Sequence, residues 1–134
     1  MTSTYRIISK QLGTDKRFTG SEFFHTRLEI YSHNKYVKVM GAFEIECYLH
    51  NTYGFGIDIY SYIEMKRSDT FVDKHLILNY PAEFYHNFDS IKWAYLKPID
   101  RYSRPLFYLA DESMFTLISL KFAGKIYDKT RKSG

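Results

Sequence analysis

The sequence predicts an α+β domain: a mostly antiparallel β-sheet of about four to six strands, with one or two helices packed on one face. Three observations predict it. Aromatic residues make up 19% of the 134-residue chain, with 13 Tyr and 11 Phe, and both types favour strands. Apolar and polar residues alternate through residues 37–50, the period of a strand with one buried face. Residues 111–124 carry a capping residue at each end of an apolar helical stripe.

In chain order, residues 5–12 read as a first strand and residues 13–20 as a polar loop bounded by glycines. Residues 23–31 form a second strand, followed by the turn chemistry of Ser32-His33-Asn34-Lys35. In the alternating stretch Val37, Val39, Gly41, Phe43, Ile45, Cys47 and Leu49 are apolar or small. Between them lie Lys38, Met40, Ala42, Glu44, Glu46, Tyr48 and His50, mostly polar, and Gly41 marks a bend or bulge. Residues 51–56 supply a turn. Ile57, Ile59, Ile63 and Met65 then point inward, with Asp58, Tyr60, Tyr62 and Glu64 outward, so 37–49 and 57–66 read as a β-hairpin. Residues 66–71 are a turn and 75–80 a further strand. Pro81 suits a first helical position, with Phe84, Phe88, Ile91 and Tyr95 on one face, although 91–95 reads equally well as a strand. The last helix is capped by Asp111, carries Glu112 in its first turn, buries Met114, Phe115, Ile118 and Phe122, and ends at Gly124.

The length suits one domain over 1–134, with 125–134 a basic, frayed tail. The net charge of +4 is spread evenly: nine Lys/Arg face seven Asp/Glu in 1–67, and ten face eight in 68–134. That balance is weaker than a dedicated phosphate-binding surface requires. Cys47 is the single cysteine, which excludes an intramolecular disulfide and a Cys-based zinc site within one chain. No apolar run reaches the length of a membrane span, and the N-terminus has no apolar signal-peptide core, so an intracellular, cytoplasmic setting is expected.

The histidines show no metal-ligand spacing, and no phosphate-binding or nucleophile motif is present. One triplet carries chemistry. Glu64-Met65-Lys66 resembles the end of the PD-(D/E)XK nuclease motif, which implies acids holding a divalent metal and a lysine activating water. Asp58 lies about 20 Å away along a straight strand, whereas carboxylates on one ion lie within roughly 5 Å of each other. The second acid is then Glu44 or Glu46 on the partner strand. One register sets Glu44 opposite Glu64. The other sets Glu46 opposite Glu64 and Glu44 opposite Lys66, a plain cross-strand ion pair. The same outer sheet face carries Tyr36, Tyr48, Tyr60 and Tyr62, and its net negative charge suits a protein better than nucleic acid. A second binding surface combines Lys92, Lys97, Arg101 and Arg104 with Trp93, Tyr95 and Tyr102.

These features point to a non-enzymatic binding protein without cofactor or metal. It would engage a macromolecule, a protein or a second copy ahead of nucleic acid. A metal-dependent nuclease-like enzyme with Mg²⁺ or Mn²⁺ is the alternative, and a self-associating structural protein a further one.

Overall fold

The computed structural model describes residues 4–13, 21–67, 91–96 and 105–128. Their strands are β1 (Arg6–Gln11), β2 (Thr26–Tyr31), β3 (Ile57–Asp58), β4 (Trp93–Leu96), β5 (Leu106–Leu109) and β6 (Ile126–Asp128). Their helices are α1 (Lys35–Tyr53), α2 (Ile59–Arg67) and α3 (Glu112–Lys121). The strands form one mixed sheet in the order β3-β4-β5-β2-β1-β6. The inner pairings are antiparallel, whereas β3 joins β4 and β6 joins β1 in parallel. The α+β class and the mostly antiparallel sheet are as the sequence predicts.

Alternation along the strands divides two cores. Ile7, Leu28, Ile30, Trp93, Phe107 and Leu109 point to one face, where Ile45 and Leu49 of α1 and Met114 and Ile118 of α3 cover them. Ala94 and Tyr108 point to the other face, where Ile59 and Tyr62 of α2 pack with Leu12, Phe24 and Ile57. Helices therefore cover both faces rather than one.

The predicted hairpin is replaced by two helices. Residues 37–49 lie within α1 and 59–66 within α2, so neither register exists. Length is the physical reason. A thirteen-residue alternation exceeds the roughly 3–10 residues of ordinary strands, and α1 runs for 19 residues. The missed signals are caps. Asn34 Oδ1 accepts from the backbone N–H groups of Tyr36 and Val37 at 2.9 and 3.2 Å. Asp58 Oδ1 accepts from Tyr60 and Ser61 at 3.0 and 3.2 Å. Each satisfies orphan donors of a first helical turn. In α2 the buried positions are Ile59 and Tyr62, with Ile63 half-buried against the same core. That is helical spacing, and it turns Tyr62 inward.

The remaining expectations divide simply. β1 and β2 fall inside the first two predicted strands, and residues 93–96 take the strand alternative. α3 begins as predicted, with Asp111 as its cap, but ends at Lys121 with Phe122 as its C-cap; Gly124, two residues further on, is in the left-handed region at φ 90°. Residues 126–128 of the expected frayed tail form β6 beside β1. The strand over 75–80, the helix beginning at Pro81, most of the 66–71 turn and most of the 13–20 loop lie outside the described residues.

Two glycines allow close approach rather than a bend. A Cβ on Gly41 would lie 2.5 Å from Tyr5 Cγ, so Gly41 lets α1 settle onto the Tyr5 ring instead of marking a bulge. Tyr5 in turn donates its phenolic hydrogen to Glu44 of α1 at 2.6 Å. Burial, then Glu44, holds that phenol protonated well above the usual tyrosine range. A Cβ on Gly56 would lie 2.5 Å from the Trp93 indole, whose Nε1 donates to the Gly54 carbonyl at 2.9 Å. α1 and the edge of the sheet are thus fixed at both ends of the helix.

These contacts set two expectations. In an open helix Gly→Ala stabilises by about 1 kcal/mol; here overpacking against Tyr5 opposes it by about 1–3 kcal/mol. Urea unfolding should show Gly41→Ala as less stable than the parent, and a stabilised variant would mean that Tyr5 yields freely. The second concerns Asp111, whose carboxylate accepts from Ser113 Oγ at 2.5 Å and the Met114 N–H at 3.2 Å. The Ser113 hydrogen bond first, and then the backbone donors and Lys92, hold its pKa below the usual aspartate value against the opposing effect of burial. The cap then stabilises fully above the ordinary carboxylate range and loses that contribution as pH falls through the lowered value. Asp111→Ala should cost about 1 kcal/mol near neutral pH, a difference that shrinks in acid. An equal difference at pH 2 and pH 7 would contradict this.

Candidate interaction surface

The fold scatters the sequence-predicted sites. Glu44 and Glu46 lie on α1, and Glu64 and Lys66 on α2. The sheet stands between these helices, since α1 packs on the Phe107–Leu109 side and α2 on the Ala94–Tyr108 side. Glu44 or Glu46 cannot therefore share an ion with Glu64. Glu44 is bonded to Tyr5, and the Lys66 ammonium lies 5.6 Å from the Tyr62 ring centre. Among the described residues no group of three His, Cys, Asp or Glu side chains could hold a metal ion.

The tyrosine face does not exist as one surface. Tyr36 is exposed on α1, and Tyr48 is half-buried edge-on against Phe122. On α2, Tyr60 is exposed and Tyr62 is buried against Phe24. In the basic-aromatic stretch Lys92 is exposed, Trp93 is buried and Tyr95 is half-buried. Lys97, Arg101, Tyr102 and Arg104 lie outside the described residues.

What emerges instead is the outward face of α1. At about 100° per residue, alternation every second residue distributes apolar side chains around the whole cylinder. Gly41, Ile45 and Leu49 meet the sheet, while Tyr36, Val39, Met40 and Phe43 point away. Those four are 70%, 59%, 63% and 64% exposed, and Phe55 just beyond the helix is 69% exposed. The stripe runs into a groove of about 450 Å³ lined by Phe43, Glu46, Cys47, His50, Asn51, Phe55, Gly56, Trp93 and Tyr95. The His50 ring meets Phe55 edge-on at 5.2 Å.

No protein-family model, curated protein or solved structure matches this chain. The surface is therefore read from its own chemistry. Three aromatic side chains, each roughly two-thirds exposed, offer about 300–500 Å² of apolar area at ~150–250 Å² per side chain. Val39 and Met40 add to it. That approaches or exceeds the largest patch of a typical monomer, about 300–600 Å².

A second, smaller concavity of about 250 Å³ lies on the opposite sheet face, lined by Arg6, Ile8, Tyr31 and Tyr127. Strand pairing of β1 with β2 and β6 brings these side chains together. Neither surface was evident in the sequence, because both depend on elements that the alternation disguised or on β6, read as a frayed tail. The thirteen-residue length of the alternation and the Asn34 cap were the signals available for α1.

Because Met40 and Phe43 are mostly exposed, Met40→Gln and Phe43→Gln should each shift the folding stability of the dilute, monomeric protein by no more than about 0.5 kcal/mol. Denaturant unfolding measures this, and a loss of 2 kcal/mol or more would show that the chain itself covers the face.

Proposed function

We propose that this protein is a non-enzymatic binding module that engages another protein through the outward face of α1 and its adjoining groove. The observation that carries the reading is a helix with two apolar faces, of which the sheet covers one and the other is exposed. An exposed apolar patch of this size marks an interaction surface. The composition suits an interface core, since Tyr, Phe and Met dominate the stripe and charge is confined to its margin.

Charge favours protein over nucleic acid at this site. α1 carries Lys35 and Lys38 against Glu44 and Glu46, and Lys38 is buried on the sheet side. A phosphate backbone would find no net positive field here. Nor is any helix among the described residues long and apolar enough to cross a membrane.

A photo-crosslinking side chain at Phe43, with a control at exposed Glu112 on α3, tests the reading in a lysate of the source cells. Discrete protein adducts at position 43 and none at 112 are expected. Adducts to nucleic acid at 43, or equal labelling at both positions, would overturn it.

A further inference from the structure

We infer that the partner of α1 is α1 of a second copy, the two helices packing antiparallel across a two-fold axis. This rests on the proposed protein-binding role of that face and names its occupant. Tyr36, Met40, Phe43, Cys47 and His50 are spaced 4, 3, 4 and 3 residues apart, the spacing of a seam between paired helices. Tyr36, Met40, Phe43 and His50 are exposed, and Cys47 is half-buried in the groove. The seam is therefore formed and open over four turns of α1.

Charge fixes the direction. Lys35 and Glu46 lie eleven residues apart, about three turns, and so share one flank of the seam. Antiparallel pairing sets Lys35 beside Glu46 of the second copy on that flank. Parallel pairing would bring opposite flanks together, which takes Lys35 away from Glu46 and sets Glu46 near Glu44 of the second copy. With Met40 against the second copy's Phe43, the flanking layers become Tyr36 against the second copy's Cys47, and the reverse by symmetry. A two-fold contact needs a self-complementary patch, and this stripe matches large side chains with medium ones in both directions.

Area supports the same occupant. The seam aromatics Tyr36 and Phe43 supply roughly 200–330 Å²; Val39, Met40 and the rim of Lys35, Glu46 and His50 extend the footprint toward the ~800 Å² per partner of a standard interface.

Two measurements on the purified full chain test it. Sedimentation velocity from low micromolar to about 100 µM should show a reversible monomer–dimer equilibrium. Met40→Glu with Phe43→Glu should weaken it by more than about thirtyfold while the melting temperature at a dilution where the parent is monomeric is kept. Disulfide trapping reads the register. Under mild oxidation Tyr36→Cys should form a covalent dimer with native Cys47, since disulfides need Cα atoms within about 7 Å. The parent should not, because its two Cys47 residues would sit about 16 Å apart along the axis. A Cys47–Cys47 dimer of the parent would overturn the antiparallel arrangement. A dimer insensitive to the double substitution would place self-association elsewhere. A monomer at 100 µM would overturn the second copy as occupant, and the adducts at Phe43 would then decide whether the protein-binding reading survives. A double variant that melts several degrees below the parent at a dilution where both are monomeric would show cover by the same chain and overturn both.

Discussion

Helix α1 has apolar side chains on its outward face as well as on its inner one, and a sheet covers only one side of a helix. Much of the rest follows from that mismatch. The sheet-facing half is held closely, with Gly41 removing the side chain that would strike Tyr5 and Glu44 taking the Tyr5 hydroxyl hydrogen. At the far end Gly56 and the Gly54 carbonyl receive Trp93. Fixing the helix at both ends also fixes which side chains remain outside. Tyr36, Val39, Met40 and Phe43 are held outward by the same contacts that bury Ile45 and Leu49. The surface is therefore preorganised, and binding to it immobilises little backbone.

The reading of the surface as an interface rests on chemistry more than on area. Exposed Leu117 and Leu120 on α3 are a single aliphatic i,i+3 pair, an ordinary surface feature. The α1 stripe differs because its members are contiguous on one helix face, include two aromatics and a methionine, and continue into a groove with Phe55 and Tyr95. Aromatic side chains with few rotatable bonds carry much contact area at low entropic cost, and methionine adapts to an opposing surface. The concavity of Arg6, Ile8, Tyr31 and Tyr127 is smaller and on the opposite face, so the two surfaces are independent.

The parts of the fold legible in the sequence were those where local chemistry and tertiary demand agree. β1 and β2 alternate over strand lengths, and α3 has an Asp cap, an apolar stripe and a glycine two residues beyond its C-cap. The central stretch misled because period two has two meanings. On a strand it separates a wet face from a dry one; on a helix it makes every face apolar. The acid-x-lysine triplet fell with it, since the sheet now separates Glu64 from Glu44 and Glu46. Asn34 and Asp58, each a good cap just ahead of its helix, were the residues able to break the tie. The site was hidden for the same reason: an outward apolar stripe is invisible while the segment is read as a strand.

Oxidative footprinting of the methionines across a dilution series tests most directly whether the outward face of α1 is open in the monomer and covered on association. Met40 is exposed and Met114 is buried in the core, so the second serves as an internal standard. Sulfoxide formation follows accessibility. Met40 should oxidise slowly in concentrated protein and several-fold faster on dilution, while Met114 stays protected throughout. A Met40 rate that does not change with concentration, whether fast or as slow as Met114, would contradict it.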